Sequence, residues 1–195
     1  MQESLKIAEK NEGKNSSLAG GVREEIGDVL RAAGAKAEAV KYYEQAARTR
    51  EKYSALDDHI LVQGFALDLL KLERVSEAKA MLRKALAIGE RRLGPYHPDV
   101  GDTLFYLGEL LDRKHRDYIG AEPLYRRSLA IRERAFGNAH PKVGVSLNRL
   151  ADMLISKRDF ASSLEVARKA YASSHFKRET YLSALYGSGI LIRQR

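Results

Sequence analysis

Apolar positions along the 195-residue chain recur three and four apart, the spacing of one face of an α-helix, and do not alternate as they would in a strand. One such stretch holds Val62, Phe65, Ala66 and Leu69. The next holds Leu104, Leu107, Gly108 and Leu111, and a third Leu147, Leu150, Ala151 and Leu154. A fainter, earlier version reads Ile26, Gly27, Leu30. Each stretch is followed by a second amphipathic segment: "GAKAEAVKYYEQAA", "SEAKAMLRKALAIGERR", "GAEPLYRRSLAIRERAF" and "DFASSLEVARKAY". The pattern predicts four helix pairs.

Small residues keep register through the copies. Gly27, Ala66, Gly108 and Ala151 recur on the first helices, and Ala39, Ala78, Ala121 and Ser163 on the second. Tyr43, Leu82 and Tyr125 follow four residues after the second small residue and fill the space it leaves. Small residues in register let helix backbones approach closely, and a pair that cannot bury both of its apolar faces alone shares a core with its neighbours. After Tyr171 the pattern fails. Leu182, Leu185 and Ile192 predict one capping helix over about 177–192, which Gly187 and Gly189 weaken.

Two linkers share a signature, "LGPYHPDV" over 93–100 and "FGNAHPKV" over 136–143. Gly94 and Gly137 sit where a helix end wants a left-handed residue, and Pro98 and Pro141 where the next helix begins. His97 and His140 are therefore expected as polar residues at helix entries. Equivalent residues of stacked repeats are displaced along the stack, and no acidic or histidine cluster accompanies them, so no metal is expected. The linker "REKYSALDDHI" between the first two copies lacks the signature and is shorter. The "DRKHRDY" turn carries one residue more than its sisters.

The small–large–small pattern resembles tetratricopeptide repeats. The longer unit, with "AEPLYRRSLAIRERAFGNAHPKV", resembles the kinesin-light-chain type. The resemblance covers about residues 20–175 and implies an all-α fold: a right-handed helical-repeat solenoid of about four helix pairs plus a C-terminal capping helix. The expected organisation is a flexible N-terminal tail over 1–17 and repeats over 18–175 (about 20–57, 58–100, 101–143 and 144–175). A capping helix and tail follow over 176–195. The resemblance also implies that first helices line a concave groove and second helices form the convex side.

On that reading the groove stripe offers Glu24, Asp28 and Arg31, then Ile60, Gln63, Leu67 and Leu70. It continues with Asp102, Phe105, Glu109 and Asp112, then Val145, Asn148, Asp152 and Ile155. Its acidic and apolar character suits a partner segment with basic and apolar side chains, and exposed Leu67, Leu70, Phe105 and Ile155 would need covering. Glu24 and Asp28 stand where family members that clamp a terminal carboxylate carry Lys and Asn, so that mode is not expected here. Nor is the acidic-cargo mode of kinesin-light-chain grooves, which relies on basic residues.

Charge sharpens the second-helix side. The net charge is +8, and residues 71–95 and 113–142 supply all of the excess. The basic convex face comprises Arg83, Lys84, Arg91, Arg92, Arg126, Arg127 and Arg134, with Arg132 in the same row. Such a face suits an acidic protein surface. No aromatic residues interleave with it along the sequence, so nucleic acid is not specifically indicated.

Composition removes other classes. Without cysteine there is no disulfide, cysteine–zinc site or thiol nucleophile, which is compatible with a reducing intracellular compartment, the cytoplasm or an organelle matrix reached through a removed presequence. "ILVQGFALDLL" is too short to span a membrane. "GKNSS" lacks the upstream glycine of a phosphate loop. No catalytic arrangement is legible and no cofactor is implied. The sequence therefore predicts a non-catalytic scaffold or adaptor that binds a partner segment in its groove. The alternatives are an accessory subunit of a large assembly, a mitochondrial one included, docked through the basic face, and, more weakly, an RNA-associated repeat protein.

Overall fold

The computed structural model describes residues 2–12, 17–51 and 59–171. All the regular structure among them is helical. The elements are α1 (Gln2–Glu12), α2 (Ser17–Ala32), α3 (Lys36–Glu51), α4 (His59–Lys71), α5 (Val75–Arg92), α6 (Pro98–His115), α7 (Tyr118–Phe136), α8 (Pro141–Ser156) and α9 (Phe160–Tyr171). The chain forms two compact units, Met1–Ile88 and Gly89–Arg195, divided within α5. The expected capping helix over 176–195 and most of the first interrepeat linker lie outside the described residues.

In the first unit α2 packs on α3, α3 on α4 and α1 on α2. The small–large register accounts for the α2–α3 contact. A methyl group on Gly27 would lie 2.5 Å from the Tyr43 ring, and Tyr43 is buried with Ala39 and Ala46. Val62 of α4 meets Ala85 and Ile88 of α5, with Met81 at the edge. Residues 2–12, expected within a flexible tail, form a helix instead. It docks through Ala8, which is buried, and through Glu9, whose carboxylate takes the buried Arg23 guanidinium at 2.5 Å. Ile7 points outward, 53% exposed.

In the second unit α6 pairs with α7, α7 meets α8, and α8 pairs with α9. A methyl group on Gly108 would lie 3.0 Å from the Tyr125 ring. Ser163 stands at the alanine position of α9 and donates its hydroxyl to the Ala151 carbonyl at 3.0 Å, so the small residue also bonds the facing backbone. His97 and His140 occupy the N-caps of α6 and α8. Each Nδ1 accepts the backbone N–H two residues on, from Asp99 at 3.2 Å and from Lys142 at 3.1 Å, with Pro98 and Pro141 opening the helices. Gly94 and Gly137 adopt φ of 93° and 78°. The repeated signature is thus a helix stop and start.

The turn within each pair has one left-handed residue: Gly34, Glu73, Arg116 or Arg158. In three turns the next N–H reaches back five residues, from Ala35 to Leu30, Arg74 to Leu69 and Asp159 to Leu154. Asp117 reaches back six, to Leu111. The extra residue of "DRKHRDY" is absorbed at this helix end, and Asp117 then caps α7 by accepting from the Gly120 N–H at 2.9 Å.

Two glycines of α2 give opposite expectations. Gly27→Ala should cost about 1–3 kcal/mol through overpacking against Tyr43. Gly21→Ala, where nothing lies within 4 Å of the added methyl, should stabilise by roughly 0.5–1 kcal/mol through helix propensity. Chemical denaturation of the two variants checks both signs.

Candidate partner-binding site

The first-helix stripe carries the acids expected of it, but their charge is already engaged. In the first unit Glu24 of α2 receives Arg50 of α3 on one oxygen and Lys71 of α4 on the other, each at 2.7 Å. Asp28 takes Lys71 at 3.1 Å and the Tyr43 hydroxyl at 2.8 Å. Arg50 also reaches Asp68 of α4 at 2.7 Å and the Gly64 carbonyl at 3.4 Å. One cluster therefore ties α2, α3 and α4 together. Burial would raise the Glu24 pKa, but Arg50 and Lys71 outweigh it and hold the carboxyl below its usual value. At Asp68, whose side chain is fully buried, burial wins over Arg50 and pushes the pKa up to about 7.

The second unit repeats the device. Arg132 of α7 forks onto one oxygen of Asp102 of α6, with Nη2 at 2.7 Å and Nε at 3.1 Å, and donates to the Ser146 hydroxyl of α8 at 2.6 Å. Lys142 takes the other Asp102 oxygen at 2.7 Å. Arg149 of α8 meets Glu109 of α6 at 2.8 Å, and Asp112 accepts from the Tyr125 hydroxyl at 3.3 Å.

Three expectations change here. Phe105, expected to face an open groove, is buried beneath the Arg132 guanidinium, which lies 4.4 Å from its ring centroid. Asn148 is buried as well, and Leu67, Leu70 and Ile155 are half-buried, leaving Ile60 and Val145 as the exposed apolar residues of the stripe. Arg132, expected in the basic row, is buried at 4% exposure and turned toward the first helices. Helix phase explains this. Arg132 lies four and seven residues after the buried Ser128 and Tyr125 and shares their face, whereas Arg126 and Arg134 are exposed.

What the stripe offers instead is a cleft of about 420 Å³ in the second unit, lined by Asp112, Arg113, Arg116, Tyr118, Arg149, Asp152 and Ser156. Asp112 and Asp152 were expected there, but the arginines were not. Arg113 and Arg149 come from the same turns as the acids, and Arg116 and Tyr118 from the one turn that is a residue longer. That extra residue was the available sequence signal. In the first unit a cavity of about 350 Å³ is lined by Val40, Ala47, Phe65 and Leu72, with Glu44, Arg48, Lys71, Glu73 and Arg74 around them. Its members Val40, Ala47 and Arg48 lie on α3, away from the stripe.

The basic row is otherwise outward. Arg83, Lys84, Arg91, Arg92, Arg126 and Arg134 are exposed. Arg127 is half-buried, paired with Glu90 at 2.6 Å and bonded to the Pro95 carbonyl at 3.1 Å. Among the described residues no helix is long and apolar enough to cross a membrane.

Arg132→Ala leaves Asp102 partly buried and short of its fork, and should cost about 3–5 kcal/mol by denaturation. For Asp68 the folded state holds a proton that the unfolded chain releases near its usual 3.8. That contribution to stability is complete below the unfolded value and lost as pH rises through the folded one. Glu24 works in the opposite sense, its contribution being lost on acidification below 4.5. Asp68→Asn should therefore flatten the fall in stability between about pH 4 and 7 relative to the parent protein, as read from thermal melts across that range.

Tetratricopeptide repeat profiles match residues 22–60 and 64–99, and a second one matches 116–174. No curated protein is matched by this sequence. Among solved structures, BtubC (BKLC) from P. vanneervenii is similar over 96% of this chain and 80% of its own, at 15% identity and a TM-score of 0.70. A kinesin-light-chain-type protein of Podosopora anserina with nearly identical repeats covers 88% of each chain at 18% identity, with a TM-score of 0.70. YrrB, described as a repeat protein with an unusual peptide-binding site, covers 100% of this chain and 87% of its own at 15% identity, with a TM-score of 0.56. These likenesses carry the fold, a helical-repeat solenoid. The kinesin-light-chain-type structure shares this fold, and the repeat profiles, which together match more than half of the chain, establish that it belongs to the tetratricopeptide repeat family.

Proposed function

We propose that the chain, a protein-interaction scaffold by its repeat family, is non-catalytic and holds a segment of a partner protein on its first-helix face. The cleft between α6, the start of α7 and α8 supports this reading. It is open and polar, with charges of both signs. The Arg116 guanidinium and the Tyr118 hydroxyl have no partner among the described residues, so they can bond a guest without first breaking an internal contact. A partner segment with an acidic side chain for Arg113 and Arg116 and a polar or basic one for Asp152 fits it. The acidic side chain replaces the basic and apolar ligand expected from sequence, because Asp102 and Glu109 already face cations of their own chain. YrrB, with its peptide-binding site, is a precedent for such use of the fold.

A second reading has its own observation. The exposed Arg126 and Arg134 of the second unit, with Arg91 and Arg92 at the end of α5, would seat an accessory subunit against an acidic surface of a large assembly, a mitochondrial one included. Photo-crosslinking distinguishes the two. With a benzophenone amino acid replacing Tyr118, the native extract should yield a crosslinked polypeptide, and Arg113→Glu with Arg116→Glu should reduce it roughly tenfold. Crosslinks from position 126 alone, with migration in a very large particle, would sink the cleft reading in favour of the docked subunit.

A further inference from the structure

The cleft at the end of α6 carries more donors than one carboxylate can use. Arg116 is the left-handed C-cap of α6, with φ of 50°, and its guanidinium bonds nothing among the described residues. Arg113 is held loosely, 3.8 Å from Glu109 and beyond hydrogen-bond reach. Arg149 comes from α8 and meets the same Glu109 oxygen through Nε at 2.8 Å. The Tyr118 hydroxyl adds a donor from the start of α7.

The acids of the cleft do not use up this capacity. Glu109 serves two arginines with a single oxygen, and Asp112 accepts from the Tyr125 hydroxyl at 3.3 Å. Asp112 and Asp152 lower the attraction of the cleft for anions at long range, so a guest must satisfy the guanidinia at contact. A carboxylate brings two oxygens and one charge. A phosphate monoester brings three terminal oxygens and about two charges near pH 7. All the cations among the described lining residues are arginines, whose planar forks take phosphate edges two bonds at a time.

Resting on the cleft reading above, we propose that the acidic group seated there is a phosphoserine or phosphothreonine of the partner segment, held by Arg113 and Arg116 from the α6 end and Arg149 from α8. Arginine clusters are a general means of reading phosphorylated segments. Apart from the Tyr118 ring, the described lining holds no apolar side chain. A phosphotyrosine ring would have little to pack on, and the shorter residues suffice.

The test uses bead-bound peptide libraries, degenerate around a fixed central phosphoserine, serine or glutamate, incubated with the labelled protein. The phosphoserine beads should retain roughly tenfold more protein than either of the others, the margin of one hydrogen bond to a charged group. Arg116→Gln should lose that margin. Arg116→Lys, which keeps the charge without the fork, should regain only part of it. Arg116 is exposed, and unchanged circular dichroism would confirm that both variants fold. Equal retention on the glutamate beads overturns the proposal and leaves the cleft reading standing. An Arg116→Gln variant as selective as the parent puts the phosphate elsewhere and overturns it too. So does displacement by inorganic phosphate as readily as by a phosphoserine peptide at the same concentration, which would make this a free-phosphate site. Retention by none of the libraries also overturns it, and crosslinking then separates the two failures. A benzophenone side chain at Ile119, 84% exposed beside Tyr118, still captures a polypeptide from phosphatase-treated extract if the cleft takes an unmodified segment. It captures none if the cleft reading itself fails.

Discussion

One arginine in each unit, the largely covered Arg50 and the buried Arg132, holds the layers in place. Arg50 and Arg132 lie eleven residues after the small residue of their own second helix, Ala39 and Ala121. Each reaches an acid on the first helix of its own pair, Glu24 or Asp102, and polar groups on the next first helix, Asp68 and the Gly64 carbonyl or Ser146. A guanidinium suits this task because its donors are fixed in one plane and can serve several acceptors at once. Buried charge of this kind is costly to expose unpaired, so each arginine penalises any packing that separates its three helices. The corresponding place in the second copy is Gly89, at the division between the units.

The arginine bridges can close only because the helices approach closely. Gly27 under Tyr43 and Gly108 under Tyr125 set that distance, and the tyrosine hydroxyls then reach Asp28 and Asp112. One residue type therefore fills the apolar gap and ends on the polar stripe. The histidine caps fix where α6 and α8 begin, and so the depth at which Asp102, Lys142 and Ser146 meet Arg132.

For function this leaves a first-helix face whose acids are largely internal ties. Charge available to a partner lies where the ties stop: at the long turn after α6, which brings Arg116 and Tyr118 to the cleft, and along the outward row of second helices. Counting charges along the stripe overstates its acidity, because a carboxylate with two cations at hydrogen-bond distance offers little field to a ligand.

The sequence by itself determined the helix pairs, their register, the glycine stops and the histidine–proline starts, because each depends on contacts within a few residues or on a repeated small–large rule. It also put Asp112 and Asp152 on first helices, where α6 and α8 carry them, and most of the arginines outward. It could not place what depends on partners far along the chain. Lys71 lies 47 residues from Glu24, and Arg132 lies 30 from Asp102. Those pairings decided that Phe105 is covered, that Arg132 faces inward and that the expected acidic groove is mostly self-neutralised. The α1 helix, held by Ala8 and the Glu9–Arg23 pair, escaped for the same reason. Periodicity reports which face of a helix is apolar; only the packed tertiary structure decides which charges meet.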